Sequence, residues 1–258
     1  MLHKKSLGQH FLRDPHILEK IVSGGNLSST DTVLEVGPGE GTLTELLLAQ
    51  AGKVIAVEKD DRLIPLLKLR FAGEIAEGRL ELIHEDILSF TPSDYKLKAK
   101  NYKLIANLPY YITGEFLRKF LQELDCQPSS MILLLQKEVA RRIVAMEGRE
   151  SILSISIKVY GEPHYRDTVK AGSFSPPPSI DSAILSIDHI SKRFFETLSE
   201  KAFFDVLKKG FSHPRKLLSS NLGIEKDVLA SCGIEEKARA ETLKIDDWKN
   251  LAEHLSHS

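Results

Sequence analysis

Short apolar segments alternate with amphipathic segments over the amino-terminal half of this 258-residue chain. Strands that alternate with helices in this way form a parallel sheet covered by helices on both faces, which is an α/β fold. Ligands in such folds bind beyond the carboxyl ends of the strands. The predicted strands lie at residues 32–36, 54–57, 80–83, 102–105 and 131–135.

The segments between and after these strands carry the signals of helices. Asp14 precedes Pro15, a pairing typical of a helix start. Residues 151–160 are ambiguous, because their isoleucines alternate with other residues as they would in a strand. The predicted helices of this part lie at residues 15–23, 42–51, 61–71 and 137–146.

The pattern changes towards the carboxyl terminus. Two more strand-like runs occur at residues 165–169 and 182–187, and the proline-rich segment 174–178 between them must be extended and stiff. Beyond residue 190 only helical patterns remain, which predicts a first domain over residues 1–189 and a small helical domain over residues 190–258. These later helices are predicted at residues 201–211, 214–222, 226–232 and 246–255.

Composition limits the class of protein. With 42% hydrophobic and 28% charged residues, the chain has the makeup of a globular protein. It shows no signal-like apolar start and no stretch near the ~18–20 apolar residues of a membrane span. Its two cysteines are far apart, and it has no His-Glu-x-x-His or Cys-x-x-Cys motif. We therefore expect a cytoplasmic protein with neither a metal ion nor a membrane partner.

The net charge of −1 conceals an uneven distribution. Acidic residues predominate over residues 35–94, whereas basic residues predominate over residues 201–222. The chain is not a uniform polycation, but local basic patches leave nucleic-acid binding open. Each patch taken alone is equally consistent with a solvated helix face.

Three glycines at alternate positions, Gly37, Gly39 and Gly41, turn the chain from the first strand into a helix. Glycine permits a tight turn and lets a ligand approach the backbone closely. The third glycine comes one residue too early for the dinucleotide fingerprint, and Glu40 would face a pyrophosphate. Both features disfavour NAD and FAD, although a plain strand-to-helix turn would show the same glycines.

An acidic residue follows each of the next two strands. Glu58 is suitably placed to accept both hydroxyls of a ribose, and Asp86 can accept a hydrogen bond from an exocyclic amine. The glycine loop is thus combined with one acidic residue for a ribose and one for an adenine, but with no phosphate-binding residues. This combination indicates S-adenosylmethionine as the cofactor. Surface acids at strand ends are the plainer alternative.

The fourth strand leads into Asn107, Leu108, Pro109 and Tyr110. The amine of a nucleobase is a poor nucleophile because its lone pair is delocalised into the ring, and an enzyme can help by accepting hydrogen bonds from it. The Asn107 Oδ1 and the Leu108 carbonyl are two adjacent acceptors, and Pro109 stiffens the turn. Tyr110 can stack on a flipped base, with Phe174 covering its other face. Either ring alone is more readily explained as core packing.

Together these motifs resemble the ribosomal RNA adenine N6-dimethyltransferase family. The resemblance covers nearly the whole chain, and the segments at residues 211–218 and 239–241 are similar to the ribosome-modifying branch. Its other elements are Gly-Gln-His-Phe-Leu at residues 8–12, the glycine loop at 35–44, Glu58, Glu85-Asp86, Asn-Leu-Pro-Tyr-Tyr-Ile at 107–112, and the segments at 135–142 and 174–182.

The resemblance implies a class I (Rossmann-like) methyltransferase domain that uses S-adenosylmethionine, followed by a small all-helical carboxyl-terminal domain. It implies dimethylation of two adjacent adenosines in a hairpin loop near the 3′ end of 16S ribosomal RNA, with S-adenosylhomocysteine as the by-product. The partner would be the small (30S) ribosomal subunit or its precursor, and the protein a monomer with a role in subunit biogenesis. The family also makes residues 151–160 a helix, and we adopt that interpretation over the alternation.

The residues themselves and the resemblance together suggest individual roles, and the cofactor contacts are those that the resemblance implies. The catalytic site would comprise Asn107, Leu108, Pro109, Tyr110 and Phe174. The cofactor contacts would be His10, Leu12, Gly37, Gly39, Glu58, Asp86 and Asn107. The candidate phosphate contacts are Lys4, Lys5, Arg141, Arg142, Arg215 and Lys216.

Two positions depart from the family pattern. His10 stands where many relatives have asparagine, so its contact could come from the backbone or from the imidazole. Pro214-Arg215-Lys216 has one basic residue fewer than the usual Arg-Arg-Lys.

Three other functions stay open. The antibiotic-resistance branch dimethylates one adenine of 23S RNA and shares the glycine loop and the Asn-Leu-Pro-Tyr motif, but the carboxyl-terminal segments favour the small subunit. A non-catalytic ribosome-assembly checkpoint factor is the second, although Asn107, Tyr110 and Glu58 are intact. A DNA adenine methyltransferase is disfavoured because the chain has no target-recognition insert.

Overall fold

The computed structural model describes residues 10–256, which form two compact units. The first unit contains the described residues through Ala140 together with Glu162–Ile190. The second contains Arg141–Gly161 and the described residues from Ser191 onward. The domains predicted at 1–189 and 190–258 share the division near residue 190, but segment 141–161 groups with the second unit. This difference arises because residues 141–161 are far in sequence from the helices that they join.

A mixed sheet of seven strands forms the centre of the first unit, counted over the described residues, and it has the order β4-β3-β2-β5-β6-β9-β7. A separate antiparallel pair joins β1 to β8. The strands are β1 (Phe11–Leu12), β2 (Thr32–Val36), β3 (Lys53–Glu58), β4 (Leu80–His84), β5 (Lys103–Asn107), β6 (Ser130–Gln136), β7 (Glu162–Val169), β8 (Phe174–Ser175) and β9 (Ser182–Asp188).

The order in which successive strands are added to the sheet reverses at β2. It leaves β2 for β3 on one side and later returns to β5 on the other, and both neighbours are parallel to β2. Val36 of β2 lies opposite Val57 of β3 and Ala106 of β5. The residues that follow these three positions therefore meet at one edge of the sheet, at the kind of switch point where α/β folds bind ligands.

The prediction of a parallel sheet is confirmed for the five neighbouring strands β4, β3, β2, β5 and β6. The edge formed by β9 and β7 is different. There β9 is antiparallel to both β6 and β7. Gln136 lies opposite Ser182, so the start of β9 lies beside the end of β6. The sequence pattern did not distinguish the two arrangements, because a strand buried on both faces reads as a continuous apolar run in either direction.

Local sequence signals explain where the helices of the first unit begin. Asp14 accepts a hydrogen bond from the His16 N–H (3.1 Å) and caps the first helix, as predicted. The predicted helices at 42–51, 61–71 and 137–146 are shorter in the structure, and α4 and α5 were not predicted. The helices are α1 (Pro15–Gly24), α2 (Thr42–Leu48), α3 (Ile64–Arg70), α4 (Ala72–Ala76), α5 (Thr113–Arg118) and α6 (Lys137–Ile143), the last of which continues into the second unit.

Helices are the only regular elements in the described residues of the second unit. Residues 151–160 contain a helix, so the alternation of their isoleucines was misleading. A capping box explains it, since Ser151 Oγ accepts from the Ser154 N–H (3.2 Å) and Ser154 Oγ accepts from the Ser151 N–H (2.7 Å). The helices are α7 (Ile152–Lys158), α8 (Glu200–Gly210), α9 (Leu218–Leu222), α10 (Lys226–Ser231) and α11 (Ile245–Ser256).

Two further observations complete the second unit. The helix predicted at 214–222 begins only at Leu218, because residues 211–217 form an exposed connection. No helix within residues 10–256 has both the length and the apolar character that crossing a membrane requires.

Close packing between α8 and α11 gives a test of this arrangement. A Cβ on Gly210 would lie 2.5 Å from Cη2 of the fully buried Trp248 ring. We expect Gly210→Ala to lower the free energy of unfolding by about 1–2 kcal/mol, because the overpacking outweighs the better helix propensity of alanine.

Urea unfolding followed by circular dichroism would measure this change. The matched control is Gly73→Ala in α4, where a Cβ would meet nothing within 4 Å. The control should be neutral or up to about 1 kcal/mol more stable. Equal effects of the two substitutions would contradict the proposed packing.

Candidate active site

A cavity opens in the first unit beyond the carboxyl ends of the parallel strands. Every residue that the sequence assigned to catalysis or to the cofactor lies along its walls. Whether each performs its assigned role stays a prediction. These lining residues are His10, Leu12, Gly37, Gly39, Glu58, Asp86, Asn107, Leu108, Pro109, Tyr110 and Phe174.

The glycine loop follows β2 and forms one wall of the cavity. Gly37 has a φ of +70°, and a Cβ on it would meet only the Asn107 carbonyl oxygen, at 3.8 Å. Gly39 has a φ of +61°, and a Cβ there would lie 2.9 Å from the Phe11 ring. Side chains would therefore be strained at both positions, and at Gly37 a side chain would also enter the cavity.

Glu58 at the end of β3 connects that strand to the glycine loop. Its Oε2 accepts a hydrogen bond from the Gly39 N–H (3.1 Å), and its Oε1 accepts one from the Asp60 N–H (2.8 Å). Burial raises the pKa of this carboxyl above its usual value, although the two backbone donors oppose the shift. Each carboxylate oxygen has two lone pairs, so Glu58 can accept further hydrogen bonds from a ligand.

Asp86 beyond β4 has an unpredicted partner in Lys59. The Lys59 ammonium donates to Asp86 Oδ2 at 2.6 Å, and the Leu88 N–H donates to Oδ1 at 3.0 Å. Partial burial alone would raise the pKa of Asp86, but these hydrogen bonds outweigh it and lower that pKa. Asp86 is thus held as an anion, and each oxygen keeps a lone pair for a ligand amine.

Two arginines flank the glycine loop, which the sequence did not indicate. Arg13 pairs with the Glu40 carboxylate (3.1 Å), and Arg70 donates to the Glu40 carbonyl oxygen (2.6 Å). Arg70 also pairs with Glu45 (2.5 Å). Both guanidinium groups are paired with these acidic residues, so neither is free to bind a phosphate. The loop therefore still lacks the positive charge that a pyrophosphate ligand requires.

The fourth predicted strand extends further than expected, because β5 ends at Asn107 itself. The Asn107 amide donates through Nδ2 to the His10 carbonyl (3.2 Å), and the Leu108 N–H donates to the Leu134 carbonyl (3.1 Å). Among residues 10–256, neither Asn107 Oδ1 nor the Leu108 carbonyl accepts a hydrogen bond. Two unused acceptors therefore lie side by side at the cavity.

Aromatic rings line the same part of the cavity. Tyr110 is partly buried, and its hydroxyl shares a hydrogen bond with Ser182 Oγ (2.8 Å) at the start of β9. Phe174 in β8 is buried, whereas Tyr111 is 63% exposed beside the cavity. The Ser182 contact could not be read from the sequence, because it depends on the antiparallel edge of the sheet.

The candidate phosphate contacts are not gathered in this cavity. Lys4 and Lys5 lie outside the described residues. Of the others, Arg142, Arg215 and Lys216 are exposed, and Arg141 pairs with Glu147 (3.4 Å). These four belong to the second unit, so their assignment to RNA stays a prediction.

Glu35 is a buried acid that the sequence analysis did not single out. It lies within β2, is 1% exposed, and neither of its oxygens has a hydrogen-bond partner within the described part of the chain. Burial raises the pKa of Glu35 to about 8, and the charge of Glu58 acts in the same direction. The carboxyl is therefore mostly protonated at neutral pH. An acid inside an otherwise apolar strand was the available signal.

This raised pKa predicts a specific pH dependence of stability. Between the usual carboxyl value of 4.5 and about 8, the folded chain keeps a proton on Glu35 that the unfolded chain has lost. Stability therefore falls as the pH rises through this range. Glu35→Gln cannot titrate, so we expect its free energy of unfolding to fall less between pH 5 and pH 8.

Urea unfolding at several pH values would measure the difference between the two proteins. Over these three pH units the difference can reach at most about 4 kcal/mol, because one unit corresponds to about 1.4 kcal/mol. Parallel pH profiles for the wild type and Glu35→Gln would show that Glu35 is ionised in the folded state.

Comparison with known proteins agrees with the geometry of the site. A family model described as "Ribosomal RNA adenine dimethylase" matches residues 1–257. The "Ribosomal RNA small subunit methyltransferase A" of Dehalococcoides mccartyi is 46% identical over 256 residues, covering 96% of this chain and 87% of that protein. The protein of the same name from Alkaliphilus oremlandii is 38% identical over 266 residues, covering 98% and 91%.

Solved structures confirm the predicted class I, Rossmann-like fold. A dimethyladenosine transferase from Plasmodium falciparum matches with a TM-score of 0.81 and 28% identity, covering 94% of this chain and 96% of that one. The 23S rRNA methyltransferase ErmE matches with a TM-score of 0.78 and 24% identity, covering 95% and 99%. At 24% identity, the similarity to ErmE concerns the fold alone.

Proposed function

Because the chain belongs to the ribosomal RNA adenine dimethylase family, we propose that it methylates two adjacent adenosines in a hairpin loop near the 3′ end of 16S ribosomal RNA. The methyl groups come from S-adenosylmethionine, and the product is N6,N6-dimethyladenosine. The substrate is the small ribosomal subunit or its precursor, and the reaction belongs to subunit biogenesis.

The pair of unused acceptors at the end of β5 is the observation that best supports this reaction. Asn107 Oδ1 and the Leu108 carbonyl can accept the two N–H groups of an adenine N6 amine. Accepting both localises the lone pair on N6, which makes the amine a better nucleophile. No strong general base is needed, since the amine can lose its proton after it has become cationic. Positioning is then the main catalytic device.

The aromatic residues hold the base at this point. Tyr110 and Phe174 both line the cavity, and rings of this kind stack on the faces of a base that has left its helix or loop. Two methyl additions to one amine also need room for the monomethyl product. The open side of the cavity at the exposed Tyr111 is consistent with that need.

The residues present fit S-adenosylmethionine. A Cβ at Gly37 would occupy the cavity, and the buried carboxylate of Glu58 suits ribose hydroxyls. Asp86 keeps lone pairs for the adenine amine, and no phosphate group has to be matched. When bound, the cofactor supplies an electrophilic methyl group on a positively charged sulfur. We propose that the cofactor is bound without a metal ion, by the contacts predicted from the sequence: His10, Leu12, Gly37, Gly39, Glu58, Asp86 and Asn107.

The choice of the small subunit follows from the relatives. The curated relatives at 46% and 38% identity carry a small-subunit name, whereas the 23S rRNA methyltransferase is a 24% identical likeness of fold. A checkpoint role without catalysis is less well supported, because the acceptor pair and Glu58 are in place. We further propose a cytoplasmic monomer whose basic residues Lys4, Lys5, Arg141, Arg142, Arg215 and Lys216 contact RNA phosphates.

Removing the acceptor side chain tests the proposed chemistry. Asn107→Ala loses one of the two acceptors, so we expect methyl transfer to fall by about 100-fold or more. Cofactor affinity should change far less, because the glycine loop, Glu58 and Asp86 are untouched. Transfer of labelled methyl groups to unmethylated small subunits measures the first effect, and calorimetry measures the second.

Asn101→Ala is the matched control for this experiment. Asn101 is exposed and lies just before β5, at the opposite end of the same strand. It should leave turnover unchanged. Unchanged turnover in Asn107→Ala as well would remove Asn107 from the mechanism.

A second experiment tests the substrate. We expect labelled methyl groups from S-adenosylmethionine to enter unmethylated small subunits. Large subunits and free RNA should take up much less label. Nucleoside mapping should then find dimethyladenosine. Label in large-subunit RNA would favour the resistance-type function, and tight subunit binding without label would favour a checkpoint factor.

A further inference from the structure

The segment at residues 10–13 lies antiparallel to the segment at residues 173–176. Phe11 lies opposite Ser175 and Leu12 opposite Phe174, and the Arg13 N–H donates to the Ser173 carbonyl (3.1 Å). The next position in this register would place His10 opposite Pro176. Because Arg13 and Ser173 form a hydrogen-bonded pair, the alternation of an antiparallel ladder makes His10 and Pro176 a pair without backbone hydrogen bonds.

The imidazole of His10 supplies a side-chain hydrogen bond at this position, where the backbone makes none. Its Nδ1 lies 2.8 Å from the Pro176 carbonyl oxygen. A carbonyl oxygen can only accept, so Nδ1 must carry the proton and donate it. The ring is thereby fixed at the end of the short strand pair.

His10 also contacts the opposite wall of the cavity. Its backbone carbonyl accepts the Asn107 Nδ2–H (3.2 Å), which directs the amide oxygen of Asn107 away from His10. Its ring lies nearly parallel to the Tyr110 ring, with centroids 6.4 Å apart and planes inclined by 24°. His10 thus connects Asn107, at the end of β5, to the segment that carries Phe174.

We propose that His10 is a positioning residue that fixes the distance between Tyr110 and Phe174, the two rings between which the target adenine would stack. The backbone of His10 orients Asn107, while its imidazole fixes the Phe174 segment through Pro176. The inference rests on the proposed function for the identity of the ligand, but the tie between His10 and Pro176 does not. The imidazole acts on the acceptor side of the cavity, so the cofactor contact proposed for His10 is assigned to its backbone.

Two amide substitutions separate this role from a cofactor contact. The Nδ2 of asparagine takes the place of the imidazole Nδ1, whereas the Nε2 of glutamine takes the place of the imidazole Nε2. His10→Asn should therefore keep the donor to Pro176, and His10→Gln and His10→Ala should lose it. The backbone carbonyl that Asn107 uses remains in all three variants.

The experiment measures cofactor affinity by calorimetry, kcat and KM on unmethylated small subunits, and amide hydrogen exchange of residues 171–175 without RNA. We expect His10→Ala and His10→Gln to lower kcat by about 10- to 100-fold, since a displacement of about 1 Å can have that effect. Cofactor affinity should stay within about twofold of the wild type. Amide exchange of residues 171–175 should be faster in these two variants, and His10→Asn should restore both kcat and protection.

Two results would overturn the inference. Weaker cofactor binding with unchanged exchange in His10→Ala would show that the imidazole contacts the cofactor. Wild-type kcat and exchange in both His10→Ala and His10→Gln would show that the ring has no positioning role. If the wild-type protein methylates no ribosomal subunit, the proposed function fails, whereas the exchange comparison still decides whether His10 holds the Phe174 segment.

Discussion

The parallel pairing of β2 with β3 and β5 is the constraint on which the rest of the site depends. The register places Val36 between Val57 and Ala106, so Gly37, Glu58 and Asn107 emerge together at one edge. A register shift by one residue would turn each of these side chains to the other face of the sheet. The apolar residues that set the register are buried on both faces, so the same core packing that stabilises the sheet also fixes the positions of the candidate catalytic groups.

Three carboxyl groups near the glycine loop give this site its electrostatic character. Glu35 and Glu58 are buried with raised pKa values, whereas Asp86 is held ionised by Lys59. Protonation of Glu35 limits its repulsion with Glu58. Glu58 and Asp86 are acceptors and offer a phosphate group no donor, which agrees with a cofactor that carries a sulfonium rather than a phosphate.

Much of the first unit could be predicted from the sequence, because its strands and its cavity residues are continuous local patterns. Every candidate site residue within the described chain that was assigned to catalysis or cofactor binding lines one cavity. The contacts that organise these residues were not predicted, since His10 and Pro176, Tyr110 and Ser182, and Lys59 and Asp86 are far apart in sequence. Residues 151–160 show the opposite case, where a local cap at Ser151 outweighed the alternation of side chains.

The antiparallel edge of the sheet has a consequence for how the protein is made. Tyr110 depends on Ser182, and β9 lies between β6 and β7, so the sheet is incomplete until the chain has been synthesised through residue 188. Residues 141–161 belong to the other unit and interrupt the first one in sequence. A nascent chain that has emerged only as far as Asn107 therefore has all of the proposed cofactor residues but lacks Phe174 and Ser182 on the far side of the proposed acceptor pocket. Methyl transfer has to wait until most of the chain has left the ribosome.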